Sequence, residues 1–321
     1  MKHAREKLEA KKKPVRALVL FSGGLDSILA VKILQKQGID VTALTFVSYF
    51  FDAKEAKKSA KENNIKLVIR DISVAHLGIV KNPCFGRGSG MNPCVDCHLL
   101  MLKEAKKLAR EVKFDFIATG EVLGQRPMSQ NSRALELIEK KANLEGRILR
   151  PLSAQVLPET EMEKNQTSPR AKLLVDRTKL YGISGRSRKE QMALAKKYKI
   201  KAYPSPAGGC ILTDKEYSNK LREVLSKIKS VKKSDIDLLR IGRHFWVGRT
   251  RIVLGRNHEE NLKLKKLAGS SDVLIEPKDI PGPTALVRGK RNKAVLDVVH
   301  DLLLKYTKNA GGDLQVKIIS G

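Results

Sequence analysis

Residues 15–38, VRALVLFSGGLDSILAVKILQKQG, leave little freedom in how the chain begins to fold. An aliphatic, β-branched run is strand material, the later apolar residues recur at helical spacing, and only Ser22, Gly23, Gly24, Leu25, Asp26 and Ser27 stand between. A strand that delivers a Gly-rich turn into a helix makes an anion site. Glycines let backbone N–H groups approach, Ser22 and Ser27 add hydroxyls, and the helix start carries partial positive charge. The pattern is neither G-x-x-x-x-G-K nor G-x-G-x-x-G. Asp26 repels a bare phosphate, so the expected ligand is a pyrophosphate bridged by Mg2+ held at Asp26. The competing structural reading is a Gly-rich turn with a capping Asp.

SGGLDS resembles the PP-loop of ATP pyrophosphatases, which cleave ATP between its α and β phosphates and transfer AMP to an oxygen. The resemblance implies that ATP binds here, with Ser22, Gly23, Gly24, Asp26 and Ser27 holding the leaving pyrophosphate and Asp26 catalytic. Fold analogy places the adenine near Thr45 and Phe46 at the end of the second strand.

Downstream, DVTALTFV, IKLVIRDI and FDFIATG read as strands. DAKEAKKSAKENN, with Asp52 as cap, HLLMLKEAKKLAREV and SRKEQMALAKKYKI read as helices. Strand and helix in alternation predict an α/β fold with a parallel sheet covered on both faces, the Rossmann-like architecture of PP-loop (adenine nucleotide alpha hydrolase-like) domains. LPETEMEKNQTSPR, residues 157–170, is expected to be a long surface loop. DKEYSNKLREVLSKIKSVKK is expected to close this domain. From about residue 234 the texture changes to a hairpin around Gly248, a capping box at Asn257 and Glu260, further strands and a strongly periodic helix: a small α+β domain. The expected organisation is a basic tail over 1–14, a PP-loop domain over 15–230 and a second domain over 236–321.

Three of the four cysteines carry a second signal. Cys94 and Cys97 form C-x-x-C at the mouth of a helix expected to begin near His98, which predicts lowered thiol pKa values and poised thiolates. Cys210 follows Gly208 and Gly209, which permit close backbone approach. A thioredoxin-like dithiol, a zinc site with His98 as fourth ligand, and an iron–sulfur cluster with one open iron are the alternatives. If Cys210 folds back onto the pair, Cys94, Cys97 and Cys210 form a catalytic trio that suits a [4Fe-4S] cluster able to bind hydrosulfide. Cys84, on a basic loop expected to be mobile, is a bystander or a replacement for one of the three.

ATGEVLGQRPMSQ, residues 118–130, resembles the corresponding segment of 4-thiouridine synthases of the ThiI type, as do LLMLKEAKKLA and the LAKKYKI helix; with the PP-loop the likeness covers residues 15 to about 215. It implies that Gly120, Glu121, Gln125 and Ser129 belong to the nucleotide or substrate site. The sequence departs from classical members in three respects: no tRNA-binding extension before the loop, no sulfurtransferase domain after it, and a C-x-x-C. That C-x-x-C resembles the one in cluster-dependent 2-thiouridine synthases. VLGRNHEENLKL and PKDIPGPTALVRG resemble the RNA-binding NFACT-R domain, a likeness over residues 236–321 that implies phosphate contacts by Arg249, Arg251, Arg256, Lys278 and Arg288.

Charge agrees with an RNA partner: 63 Lys and Arg against 34 Asp and Glu give +29. Such an excess concentrates polyanions, and with 5% aromatic residues the grip falls on phosphates rather than on stacked bases. No run of 18 apolar residues offers a membrane span, and Gly23 and Gly24 interrupt the only apolar stretch near the N-terminus, so a cytoplasmic location is expected.

Together these readings predict an ATP-dependent tRNA thiolase, a transferase that adenylates a uridine carbonyl oxygen and replaces it with sulfur, most simply making 4-thiouridine. The partners are tRNA and a sulfur donor, sulfide or a persulfide carrier; a homodimer is compatible. The alternatives are a 2-thiouridine synthase, a small-molecule adenylating PP-loop enzyme, and a non-enzymatic RNA-binding protein.

Overall fold

The computed structural model describes residues 14–164, 174–200, 202–204, 210–310 and 314–320. Its chain divides into two compact units, Met1–Cys210 and Ile211–Gly321.

The first unit runs β1 (Arg16–Leu20), α1 (Leu25–Lys36), β2 (Asp40–Val47), α2 (Lys54–Glu62), β3 (Lys66–Asp71), α3 (Ser73–Lys81), α4 (Cys94–Val112), β4 (Phe116–Thr119), α5 (Ser132–Ala142), β5 (Ile148–Leu149) and α6 (Lys189–Lys197). The five strands form one sheet in the order β3-β2-β1-β4-β5, with every neighbouring pair parallel. Side chains of β1 alternate between two cores. Ala17 and Val19 pack with Ile28 of α1 and Leu194 of α6, whereas Leu18 packs with Leu102 of α4 and Ile138 of α5. A strand buried on both faces must be apolar throughout, which is why VRALVLF lacks polar alternation.

The chain places β2 and β3 on one side of β1, then β4 on the other, so the sheet reverses its winding between β1 and β4. Ligands of open α/β sheets bind outside the carboxyl ends of the strands at such a reversal. Leu20 and Thr119 lie opposite each other as the last paired residues of the two strands. SGGLDS and Gly120–Glu121 therefore emerge side by side at this point.

Several local expectations need correction. Helix α4 begins at Cys94, not near His98: Cys97 N–H donates to Pro93 O at 2.8 Å, so the C-x-x-C is itself the first helical turn. Asp52 precedes the N-cap, Ala53, although its carboxylate still accepts from Lys54 N at 2.9 Å. The described part of the 157–170 loop is not wholly on the surface. Glu163 is buried, accepts from Thr160 N and Oγ1, and pairs with Arg177 at 2.6 Å; the remainder of that loop, and Gly208 and Gly209, lie outside the described residues.

The second unit runs α7 (Lys215–Lys227), α8 (Lys233–Leu238), β6 (Arg243–Val247), β7 (Thr250–Leu254), α9 (His258–Leu267), β8 (Val273–Pro277), β9 (Ala285–Arg288), α10 (Lys293–Tyr306) and β10 (Val316–Ser320). Its antiparallel sheet has the order β10-β8-β9-β7-β6. Val295, Val299 and Leu303 of α10 cover one face, and Leu238 of α8 with Leu264 of α9 cover the other. Helix α7, expected to close the first domain, belongs here: Glu223 accepts from Trp246 Nε1 at 3.0 Å and Lys220 donates to Gly242 O at 3.3 Å, both on or beside β6. The capping box at Asn257 is half formed. Asn257 accepts from Glu260 N, but the Glu260 carboxylate turns to Arg256 and Gly242 N. Among the described residues no helix is long and apolar enough to cross a membrane.

Candidate functional site

Gly23 has φ +81°, and a Cβ there would stand 2.7 Å from Ala56 Cα, so the turn demands glycine for conformation and for space. Ser59 Oγ donates to Gly23 O at 2.8 Å, tying α2 to the loop. Gly24 caps α1 in an extended conformation without a side-chain cap, leaving the first N–H groups of the helix for a ligand. Ser27 Oγ donates to Gly24 O at 2.8 Å and lies 3.4 Å from Ser22 Oγ.

Asp26 is half-buried, and its Oδ1 is buried without a hydrogen-bond partner. Burial raises its pKa, while a Gln125 hydrogen bond and the nearby Arg188 and Arg126 oppose the rise. A buried carboxylate oxygen with no partner, flanked by two guanidinium groups, suits the missing cation–phosphate complement, and Mg2+ at Asp26 fits this donor set. Arg188 Nε is likewise buried and unpartnered. The sequence reading missed both arginines: Arg126 adjoins Gln125 in the resembling segment, but Arg188 belongs to a loop whose position only the fold discloses. Ser129 is buried in the compact turn carrying Gln125 and Arg126, where Ser129 N donates to Arg126 O at 3.3 Å. Thr45 and Phe46 offer less than expected. Thr45 Oγ1 is spent on Phe21 O, and Phe46 packs in the core beside Leu18.

Gly120 and Glu121 join two parts of the site. A Cβ on Gly120 would sit 2.7 Å from Ser27 Cα and N, so β4 ends against the first turn of α1. The next residue, Glu121, accepts from Thr119 Oγ1 at 3.0 Å, contacts His98 Nδ1 at 2.8 Å and pairs with Arg150 at 3.1 Å; Arg150 also pairs with Glu139. Burial pushes the Glu121 carboxyl up, but Arg150, His98 and Thr119 outweigh it and hold the pKa at about 2. Glu121 is thus fully committed within the protein. It braces His98, the residue after Cys97, rather than meeting a nucleotide. Gly120→Ala should cost about 1–3 kcal/mol by overpacking and weaken ATP binding while α4 stays in place, measurable by thermal unfolding and ATP titration.

None of the four cysteines forms a disulfide. Burial first, then Cys210, Cys94 and Asp96, pushes the Cys97 thiol up to about 12. For Cys97 the expected lowering by the helix start is overturned: desolvation and like charges disfavour its thiolate. The Cys210 charge is among those that act on Cys97. Cys94 Sγ accepts from Asn92 Nδ2 at 3.2 Å. Among the described residues no three His, Cys, Asp or Glu side chains are gathered as ligands of a metal ion. The loop bearing Cys84 is pinned, not loose. Asp96 accepts from Cys84 N at 2.9 Å and Phe85 N at 3.0 Å, and Arg87 caps the end of α3 through Val80 O and Lys81 O. Cys84 itself is exposed.

Residues 14–156 match the family model of the thiamine biosynthesis protein (ThiI). Residues 242–320 match the NFACT protein RNA binding domain. A probable tRNA sulfurtransferase of Finegoldia magna is 32% identical over 148 residues, covering 43% of this chain and 36% of that protein. A tRNA-specific 2-thiouridylase MnmA of Methylobacterium radiotolerans is 28% identical over 182 residues, covering 50% of this chain and 47% of the relative. The chain therefore spans less than half the length of either relative. A crystal structure of a 4-thiouridine synthetase–RNA complex with bound ATP aligns with TM-score 0.42 and 20% identity over 70% of this chain and 52% of the other.

In the second unit, most of the arginines expected at phosphates are used inside the protein. Arg251 lies on β7, between β9 and the edge strand β6, where every residue is buried; it donates to Asp235 O at 3.0 Å and to His244 Nδ1 at 2.9 Å. His244 donates from Nε2 to Ile241 O at 2.8 Å, and burial with the Arg251 charge holds its pKa at about 3, so the ring stays neutral. Arg288 pairs with Asp235 and Asp272, and Arg256 with Glu260. Arg249 and Lys278 remain exposed.

Proposed function

We propose that the chain is an ATP-dependent tRNA thiolase that makes 4-thiouridine. One observation carries the reading. The Gly120–Glu121 dipeptide abuts the nucleotide loop's helix through Gly120 and the thiol-bearing helix through Glu121 and His98, so an activated base and a sulfur source share one neighbourhood.

The loop N–H groups, Ser22 and Ser27, with Arg126 and Arg188, bind the β and γ phosphates and stabilise charge on pyrophosphate as a uridine carbonyl oxygen attacks the α-phosphorus. That step forms a C–O–P bond and breaks the α–β bridge. Hydrosulfide then adds to the activated carbon and expels AMP, leaving C=S and one proton. Mg2+ at Asp26 would neutralise phosphate charge, and a [4Fe-4S] cluster on Cys94, Cys97 and Cys210 would supply an open iron for hydrosulfide. Sulfide or a persulfide carrier is the donor, and the basic second unit holds tRNA through its phosphates. A uridine in a folded tRNA must be unstacked to reach this site.

Nucleoside analysis of tRNA from a strain lacking the gene tests the proposal: 4-thiouridine should vanish. Loss of 2-thiouridine instead would move the chemistry to the other carbonyl, and unchanged tRNA would end the thiolase reading. Protein purified without oxygen should contain iron and sulfide, and Cys94→Ala should lose most of both; iron-free protein would favour a persulfide route through the same thiols.

A further inference from the structure

The RNA-binding reading leaves open which face of the second unit meets RNA, and the distribution of unspent charge selects one. Two recesses differ in their chemistry. The first, about 420 Å³, is lined by Lys265, Lys278 and Lys317 but also by Glu276 and Asp279, with Lys265 paired to Glu276 at 2.8 Å. A polyanion entering it meets two carboxylates. The second, about 390 Å³, lies between the β6–β7 turn and the β9–α10 turn, with Gly248, Arg249, Thr250, Gly289, Lys290 and Asn292 in its wall and no acidic residue.

Arg249, Lys290 and the flanking Arg291 and Lys293 are all exposed, and none has an ion-pair partner among the described residues. This contrasts with Arg251, Arg256 and Arg288, whose charges are buried or paired within the fold. The two turns are fixed against each other. Thr250 Oγ1 donates to Lys290 O at 3.0 Å, and Gly289, at φ +129°, has no room for a Cβ, which would stand 2.8 Å from Thr250 Oγ1. Glycine at 248 and 289 also keeps both rims low, so a backbone phosphate can approach the main chain. The walls offer no aromatic side chain on which a base could stack.

We propose that this recess, with Arg249 and Lys290 as its two cations, is where the second unit grips the phosphate backbone of a folded RNA. The inference rests on the RNA-binding reading and sharpens it to one edge of the sheet. It is sequence-independent by construction, since phosphate contacts position an RNA without reading its bases.

The test is tRNA binding by the full-length protein across a salt series, comparing wild type with Arg249→Ala/Lys290→Ala and with the charge-matched control Lys265→Ala/Lys317→Ala from the first recess. The first variant should bind about tenfold or more weakly at low salt, with its log–log salt slope reduced by about 1.8 for two lost phosphate contacts. The control should stay within about twofold of wild type, and Arg249→Lys/Lys290→Arg should restore binding, which excludes a folding defect. Equal losses in variant and control, or no loss in either, would overturn this site while leaving the RNA partner intact. Wild-type protein that fails to bind tRNA would overturn the RNA reading itself, and this site with it.

Discussion

Arg150→Met is expected to destabilise the first unit by about 3–5 kcal/mol, lowering its melting temperature by roughly 10 °C for a domain of this size. Arg150 is 5% exposed and stands between Glu121 and Glu139, so its removal strands two carboxylates in the interior. Leaving a buried charge without its partner costs far more than the pair contributes net, which is why this single change outweighs any surface substitution. The pH dependence has a definite sign. Glu121 is depressed from 4.5 to about 2, so its contribution is fully present above pH 4.5 and is lost as pH falls toward 2. Arg150→Met removes much of that depression, so the gap between wild type and variant should narrow over the same window. Denaturant titrations at neutral pH and near pH 3 measure it; a gap that widens on acidification contradicts the assignment. Glu121, which braces His98, loses one of its anchors in this variant, and sulfur transfer should fall more than pyrophosphate release does.

The second large effect is expected from Asp26→Asn, which keeps the shape of the side chain and removes its charge. Pyrophosphate release should drop by about 10²–10³, because Asp26 alone offers a buried, unpartnered carboxylate oxygen among the residues of SGGLDS. Binding of tRNA should be unchanged. Wild-type turnover in the variant would return Asp26 to the role of a structural residue at the start of α1.

Four strands were legible because each is a short run set off by a turn or a helical period, whereas β5, only Ile148–Leu149, is too short to show a pattern; the turn Ser-Gly-Gly-Leu-Asp-Ser was legible as a link from strand to helix. The start of α4 was not. Pro93 reads as a turn, and nothing local says that the helix begins with the very next residue. Charge partners were invisible for a different reason: Glu121 meets Arg150 29 residues later and His98 23 residues earlier. The same applies to the cysteines. A helix start alone argues for thiolates, whereas burial and the approach of Cys210, 113 positions from Cys97 in the sequence, reverse the sign. Arg251 and Arg288 were expected at RNA phosphates from the resemblance of short motifs, and a motif does not distinguish a buried or paired arginine from an exposed one.

The most direct measurement is a single-turnover reaction of anaerobically prepared protein with ATP, sulfide and tRNA lacking the modification, following AMP, pyrophosphate and thiouridine together. The account predicts that the three appear in equal amounts, that all depend on tRNA, and that Cys97→Ala still releases pyrophosphate but forms no thiouridine. AMP formation that ignores tRNA, or thiolation that survives the loss of Cys97, would contradict it.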